Sequence, residues 1–316
     1  MAASAPAAAA VSLPPYAPLH PWAPGIALAP SLKLRNGVEL PAVGLGTFRL
    51  MGEEAVVAVQ AALGAGLRHI DTASIYKNEA AIREALAASG LPREEVFITS
   101  KVSPYEQGRG KAREAVEGIL ERLGTDYLDL CLIHWPGVAR KPATSPIHAE
   151  KRAETWADLE ALYKEGRLRA IGVSNYEEGH LRGLLAGAEV APMVNQFEVH
   201  PRRQRRELRA FCQEHGITVV AYSSLGSAQG CGGLLGDPAV GAVAAAVGRT
   251  PAQALLRWGL QEGLAVIPKS SRPDRIAQAA PEALLGGDWG LTEEQMYALA
   301  ALEDGHKFAW DPAGIV

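Results

Sequence analysis

The 316-residue chain is 48% hydrophobic and 21% charged, the composition of a globular protein with enough apolar residues for a sizeable core. Its net charge of -4, from 31 basic against 35 acidic residues, offers no positive field for a phosphate backbone and argues against a nucleic-acid partner. Three scattered cysteines, Cys131, Cys212 and Cys231, fit neither a disulfide framework nor a CxxC metal site, and no apolar run approaches the roughly 18 residues of a membrane span, so a cytoplasmic protein without metal or membrane attachment is expected.

Residues 1–30 are rich in Ala and Pro and contain no Lys, Arg, Asp or Glu. They lack the basic start of a secretory signal and the Arg- and Ser-rich character of a transit peptide, and their prolines forbid a long helix. A disordered tail is expected, with organelle targeting as the minor alternative. From Leu32 the chain alternates apolar and polar residues around Asn36-Gly37, which predicts a hairpin closed by a type I′ turn. Eight strand-like runs follow: 43–46, 69–71, 96–101, 128–134, 171–174, 193–198, 218–223 and 265–268. Helical periodicity falls at 54–64, 79–88, 110–123, 151–164, 205–214, 238–247 and 251–261. Strict β/α alternation implies a parallel sheet, and eight units in this length predict a closed (β/α)8 TIM barrel. The hairpin would cap the barrel bottom, and residues 31–316 would form a single domain. A Rossmann unit would need Gly-x-Gly-x-x-Gly after the first strand; Gly44-Leu45-Gly46 lacks the third glycine.

In such a barrel the site is built from the carboxyl ends of the strands. Those ends carry Asp71 with Tyr76 just beyond, Lys101, His134-Trp135, Ser174-Asn175, Gln196, Tyr222-Ser223 and Pro268-Lys269-Ser270. Taken singly, each has an ordinary structural role: an ion pair, a loop aromatic, a core histidine. Together they line one face.

The segment Gly66-Leu67-Arg68-His69-Ile70-Asp71-Thr72-Ala73, with Tyr76 and Asn78-Glu79, resembles the first signature of the aldo-keto reductases. Residues 171–176 and Ile267-Pro268-Lys269-Ser270 with Arg275-Ile276 resemble the second and third. The resemblance implies a (β/α)8 fold, NADPH as cofactor, a small carbonyl substrate, no metal, a monomer, and a catalytic tetrad of Asp71, Tyr76, Lys101 and His134. It also implies a cofactor site over Gly46, Thr47, Asp71, Ser174, Asn175, Gln196, Tyr222, Ser223, Leu225, Ser227, Pro268, Lys269, Ser270, Arg275 and Gln278. The substrate would meet Phe48, Tyr76, His134, Trp135 and Trp310. Three positions depart from the family pattern: Phe48 for Trp, Arg83 for Gly, and Ala279 for Asn. The short segment after residue 303 implies an open pocket.

Carbonyl reduction needs a hydride to carbon and a proton to oxygen. A free tyrosine, with a pKa of about 10, is a sluggish donor. Lys101 beside Tyr76 is expected to lower that pKa while Asp71 keeps the lysine charged, and His134 is expected to orient the carbonyl. Two alternatives remain at this stage: a non-enzymatic NADPH-binding regulatory or structural subunit on the same fold, and an NAD-linked sugar or alcohol dehydrogenase.

Overall fold

The computed structural model describes residues 28–226 and 231–316. The expected tail up to residue 27 and Ser227 of the expected cofactor site lie outside the described residues. Strands β1 (Ser31–Lys33) and β2 (Glu39–Pro41) form the hairpin, antiparallel, with Leu32 opposite Leu40. Its turn is not type I′, because only Gly37 takes a positive φ, of 89°. The Gly37 amide donates to Leu34 O at 2.8 Å and the Leu34 amide to Val38 O at 2.8 Å, the pattern of a type I turn followed by a glycine bulge. Asn36 is thereby freed from the left-handed region, and its Nδ2 donates to Arg169 O at 2.9 Å. That bond, with Leu34 and Leu40 buried beneath it, holds the hairpin against the amino end of the barrel.

Eight parallel strands follow in chain order: β3 (Leu45–Gly46), β4 (His69–Asp71), β5 (Phe97–Val102), β6 (Leu130–Ile133), β7 (Ile171–Ser174), β8 (Val194–Glu198), β9 (Thr218–Tyr222) and β10 (Ala265–Val266). Each pairs with the next, and a parallel bridge between Val43 and Val266 joins the last to the first. Every residue of β5 is buried, Thr99, Ser100 and Lys101 included, as expected for a strand covered on both faces.

The seam explains two glycines. A Cβ at Gly46 would stand 2.7 Å from Ile267 O, and one at Gly44 would stand 2.6 Å from His69 Nδ1. Gly44-Leu45-Gly46 is therefore a place where two strands and a core histidine approach too closely for side chains, and the seam bonds run through it: Gly44 N to Val266 O at 2.9 Å, Gly46 N to Pro268 O at 3.0 Å.

Seven of the helices form where the periodicity predicted them. α1 (Gly52–Gly64) buries Ala55, Ala58, Val59, Ala62 and Leu63, one apolar stripe. α2 (Glu79–Ser89), α3 (Lys111–Leu123) and α4 (Ile147–Lys164) follow. α5 (Glu178–Leu185) has no counterpart in the sequence pattern, being eight residues long with Gly179 and Gly183 inside it. Tertiary packing sustains it through buried Leu181 and Leu184, and His180 Nδ1 accepts from the Glu177 amide at 3.1 Å. α6 (Arg206–Glu214), a short α7 (Cys231–Leu235), α8 (Pro238–Ala246) and α9 (Pro251–Gln261) complete the ring before β10. α9 starts at a capping box of Thr250 and Gln253 with Pro251 at its first position. After β10 come α10 (Pro273–Gln278), α11 (Pro281–Leu285) and α12 (Glu293–Ala300). Among the described residues no single helix is long and apolar enough to cross a membrane. Arg83 is exposed on α2, as expected for a surface replacement.

Candidate active site

Asp71 ends β4 and Lys101 lies near the end of β5, so parallel pairing brings their side chains together at the carboxyl face. Lys101 Nζ stands 2.6 Å from Asp71 Oδ1 and donates to Thr72 O at 3.0 Å. The other carboxylate oxygen, Oδ2, accepts from Gln196 Nε2 at 2.7 Å across the barrel. Both charged side chains are almost wholly shielded, at 1% and 3% exposure. Burial pulls the lysine down from its ordinary value, and the carboxylate beside it works in the opposite direction.

Tyr76 ends a single 3-10 turn, Ser74–Tyr76, one turn beyond β4. Its ring meets the His134 ring edge-on, with centroids 5.6 Å apart, and Lys101 Nζ lies 5.4 Å from its centroid. The tetrad expected from the resemblance is thus assembled in space. One part of the expectation is corrected: the Tyr76 hydroxyl is pushed well above its ordinary value, first by burial and then by the charge of Asp71, with Tyr222 adding to it. Burial is the largest cause, so the net direction is upward although Lys101, 2.6 Å from Asp71, lies beside the ring. His134 follows β6 directly, and burial, with a smaller push from Lys101, lowers its imidazole to about 3, so the ring is neutral. Its Nδ1 is buried without a partner.

The expected amide cluster is also brought together. Ser174 Oγ donates to Gln196 O at 2.8 Å, Asn175 Nδ2 donates to His134 O at 2.9 Å and Ser174 Oγ at 3.1 Å, and the Tyr222 hydroxyl donates to Asn175 Oδ1 at 2.6 Å. Asn175 and Ser223 hold left-handed backbones, with φ of 63° and 51°, the strained geometry that recurs at functional sites. Thr47 is used differently: its amide and hydroxyl both donate to Asp71 O, at 3.0 and 2.9 Å, so it fixes the loop after β3. Gly46 lies in the barrel seam, and Leu225 packs on the core.

Lys269, Arg275 and Gln278 are exposed along the loop after β10 and on α10, with Ser270 and Ala279 half-buried beside them. Arg272, which the sequence did not single out, is held 2.7 Å from Asp274. The donor set, two unpaired cations and a hydroxyl among the described residues, fits a phosphate.

On the substrate side the rings form a chain: Phe48 contacts Tyr76 at 5.1 Å and Trp310 at 6.1 Å. Phe48 and Trp310 are 39% and 68% exposed, which makes the mouth open. Trp135 is half-buried beside His134. Two residues outside the expected set place these walls. Buried Asn78 donates to Thr47 O at 2.9 Å and Leu50 O at 3.0 Å, gripping the loop that carries Phe48. Glu198, at the end of β8, accepts from the Phe308 amide at 2.7 Å and the Ala309 amide at 3.4 Å, which seats the segment carrying Trp310. Asn78 stands inside the first signature; Glu198 has a partner 110 residues away and leaves no local signal.

The sequence profile described as the Aldo/keto reductase family matches residues 42–283. The glyoxal reductase of Bacillus subtilis is 44% identical over 286 residues, covering 90% of this chain and 97% of its own. The 9,11-endoperoxide prostaglandin H2 reductase of Trypanosoma cruzi is 42% identical over 280 residues, covering 88% and 93%. MGS-M4, an aldo-keto reductase enzyme from a Medee basin deep-sea metagenome library, superposes with a TM-score of 0.82 at 39% identity, covering 89% of this chain and 98% of its own. With that profile over most of its length and relatives of more than 40% identity, the chain belongs to the aldo/keto reductase family of oxidoreductases, whose members generally use a nicotinamide cofactor.

Proposed function

We propose that the protein is an NADPH-dependent carbonyl reductase in which Tyr76 is the general acid for small aldehydes and ketones. The observation that carries this is the position of the Tyr76 phenol between the His134 ring and the Lys101–Asp71 pair, facing an aromatic mouth. Ser174, Asn175 and Gln196 would hold the nicotinamide carboxamide, Tyr222 would stack on its ring, and Lys269, Ser270 and Arg275 would take the adenosine phosphate. The bound cofactor supplies the hydride for the carbonyl carbon.

A phenol with a raised pKa remains protonated at neutral pH, so the acid is always loaded. An alkoxide is a stronger base than a phenolate, and as the carbonyl oxygen gains charge it takes the Tyr76 proton. The tyrosinate that remains is stabilised by Lys101. Neutral His134 has an N–H to donate to the carbonyl oxygen, orienting it without competing for the proton. The relationship to the glyoxal reductase of Bacillus subtilis supports carbonyl reduction. The working form we infer is a cytoplasmic monomer.

A panel of aldehydes and ketones, followed by NADPH and NADH absorbance, tests this. Aromatic aldehydes should oxidise NADPH, and NADH more slowly. Cofactor binding without turnover on any carbonyl would make the protein a binding subunit, and a preference for NADH would make it an NAD-linked dehydrogenase.

A further inference from the structure

We propose that Glu106 and Gln107, on the loop between β5 and α3, are positioning residues that set the spacing of Tyr76, Lys101 and His134; this rests on the function proposed above. The three groups stand on three different strand ends; the strand ladder reaches the His134 amide, which donates to Val102 O at 3.0 Å, but the turn that ends at Tyr76 and the segment after His134 lie beyond it. The loop 103–109 joins all three. Glu106 Oε2 accepts from Ser74 Oγ at 2.5 Å, in the turn that ends at Tyr76, and from the Ser103 amide at 2.8 Å, two residues beyond Lys101. Gln107 Nε2 donates to Trp135 O at 2.7 Å and Gly137 O at 3.2 Å, immediately after His134. The Ala139 amide adds a bond to Pro104 O at 2.9 Å.

The loop is itself anchored. The Gly108 amide donates to Thr155 Oγ1 at 2.8 Å and the Arg109 amide to Glu154 Oε2 at 3.0 Å, both on α4. A rigid helix therefore holds the loop, and the loop holds the acid and the histidine. Gln107 is buried, and its Oε1 has no partner. A buried amide that leaves its own acceptor unpaired costs stability, and only its donor end, on two carbonyls of the His134 segment, is in use. Glu106 is not among the groups that move the Tyr76 pKa, which are burial, Asp71 and Tyr222. Its action is geometric: it fixes where the phenol sits rather than how acidic it is.

That distinction gives the test. Glu106→Ala removes the acceptor shared by Ser74 and Ser103, and kcat for an aromatic aldehyde should fall about tenfold, since small displacements of a reacting group cost on this scale. The NADPH dissociation constant should hold, and the solvent deuterium isotope effect on kcat should rise as proton delivery slows. Glu106→Gln retains a carbonyl oxygen for both donors and should recover most of the rate. Ser74→Ala should act in the same direction, and the double variant with Glu106→Ala should be no worse than Glu106→Ala alone, because the Ser74–Glu106 hydrogen bond is already lost in it. Wild-type turnover is measured first: its absence on every carbonyl removes the proposed function itself. With turnover present, the positioning role is overturned if Ser74→Ala and Glu106→Ala keep wild-type kcat and isotope effect, or if Glu106→Gln is as damaged as Glu106→Ala. Should Glu106→Ala fail to fold, Ser74→Ala, which deletes one hydroxyl, carries the same readouts.

Discussion

The two ends of the barrel each bury an aspartate against cations, and they do it in opposite ways. Asp129, just before β6 at the amino end, accepts from Arg93 at 2.8 Å, Arg169 at 3.0 Å and the Ile98 amide at 2.9 Å. Both arginines keep part of their surface in water, at 22% and 48% exposure. Asp71, at the carboxyl end, faces Lys101 and Gln196, both as buried as itself. At the bottom the carboxylate is saturated by cations that keep part of their hydration, so the cluster ties the strand starts together. At the top both members of the pair are dry, and a dry pair adds little net stability because desolvation offsets the attraction. The unpaired His134 Nδ1 and the left-handed Asn175 and Ser223 are at this end as well. One end is built for stability; the other tolerates cost around the groups that do chemistry.

The largest expected effect breaks the upper end alone. Tyr76→Phe deletes one hydroxyl, and turnover should fall by at least about a hundredfold while the melting temperature and NADPH binding hold. Lys101→Met should lose turnover to a similar degree but also lose stability, on the order of 3–5 kcal/mol, because Asp71 would be left buried and unpaired. Calorimetry beside kinetics separates the two variants. Near wild-type turnover in Tyr76→Phe with cofactor bound would pass the proton to another group, His134 first.

The next effect breaks the lower end alone. Asp129→Ala orphans the Ile98 amide and takes the carboxylate from two arginines, and should cost about 2–3 kcal/mol in denaturant unfolding, with kcat retained below the transition. A loss of kcat at full folding would show that the two ends are coupled.

Smaller still is the change at the cofactor rim. Arg275→Ala should raise the NADPH KM by about tenfold and barely move that for NADH, since a charge-assisted phosphate contact contributes about 1.5–3 kcal/mol. Equal effects on both cofactors would remove the phosphate from this cluster.

The smallest effect is a flat line. Tyr76 reacts in its protonated form, and a raised pKa extends that form to higher pH; His134, lowered to about 3, is neutral throughout the working range. Reduction, read as kcat/KM, should therefore be level between about pH 6 and pH 9. A decline beginning near pH 8 would mean that the Lys101 charge outweighs burial at the tyrosine.

The order of strands and helices, and the places of Asp71, Tyr76, Lys101, His134, Ser174, Asn175, Gln196 and Tyr222, were legible in the sequence. Strand runs and amphipathic periods are local, and in a parallel barrel the end of each strand is the site, so a polar residue closing an apolar run announces itself. What the sequence could not state depends on distant groups. Gly44 and Gly46 are explained by His69 and by Ile267 across the seam, α5 exists only because Leu181 and Leu184 find a core, and Glu198 acts on amides 110 residues on. The Asn36-Gly37 signal predicted a hairpin correctly and its turn type wrongly, because the hairpin's register and the Arg169 carbonyl selected the turn with a single left-handed residue. The acidity of Tyr76 is the sharpest case. From the sequence, Lys101 was a nearby positive charge; the tertiary structure set Asp71 against it at 2.6 Å and took the phenol out of water, and desolvation is a property of the folded surroundings that no local run of residues encodes.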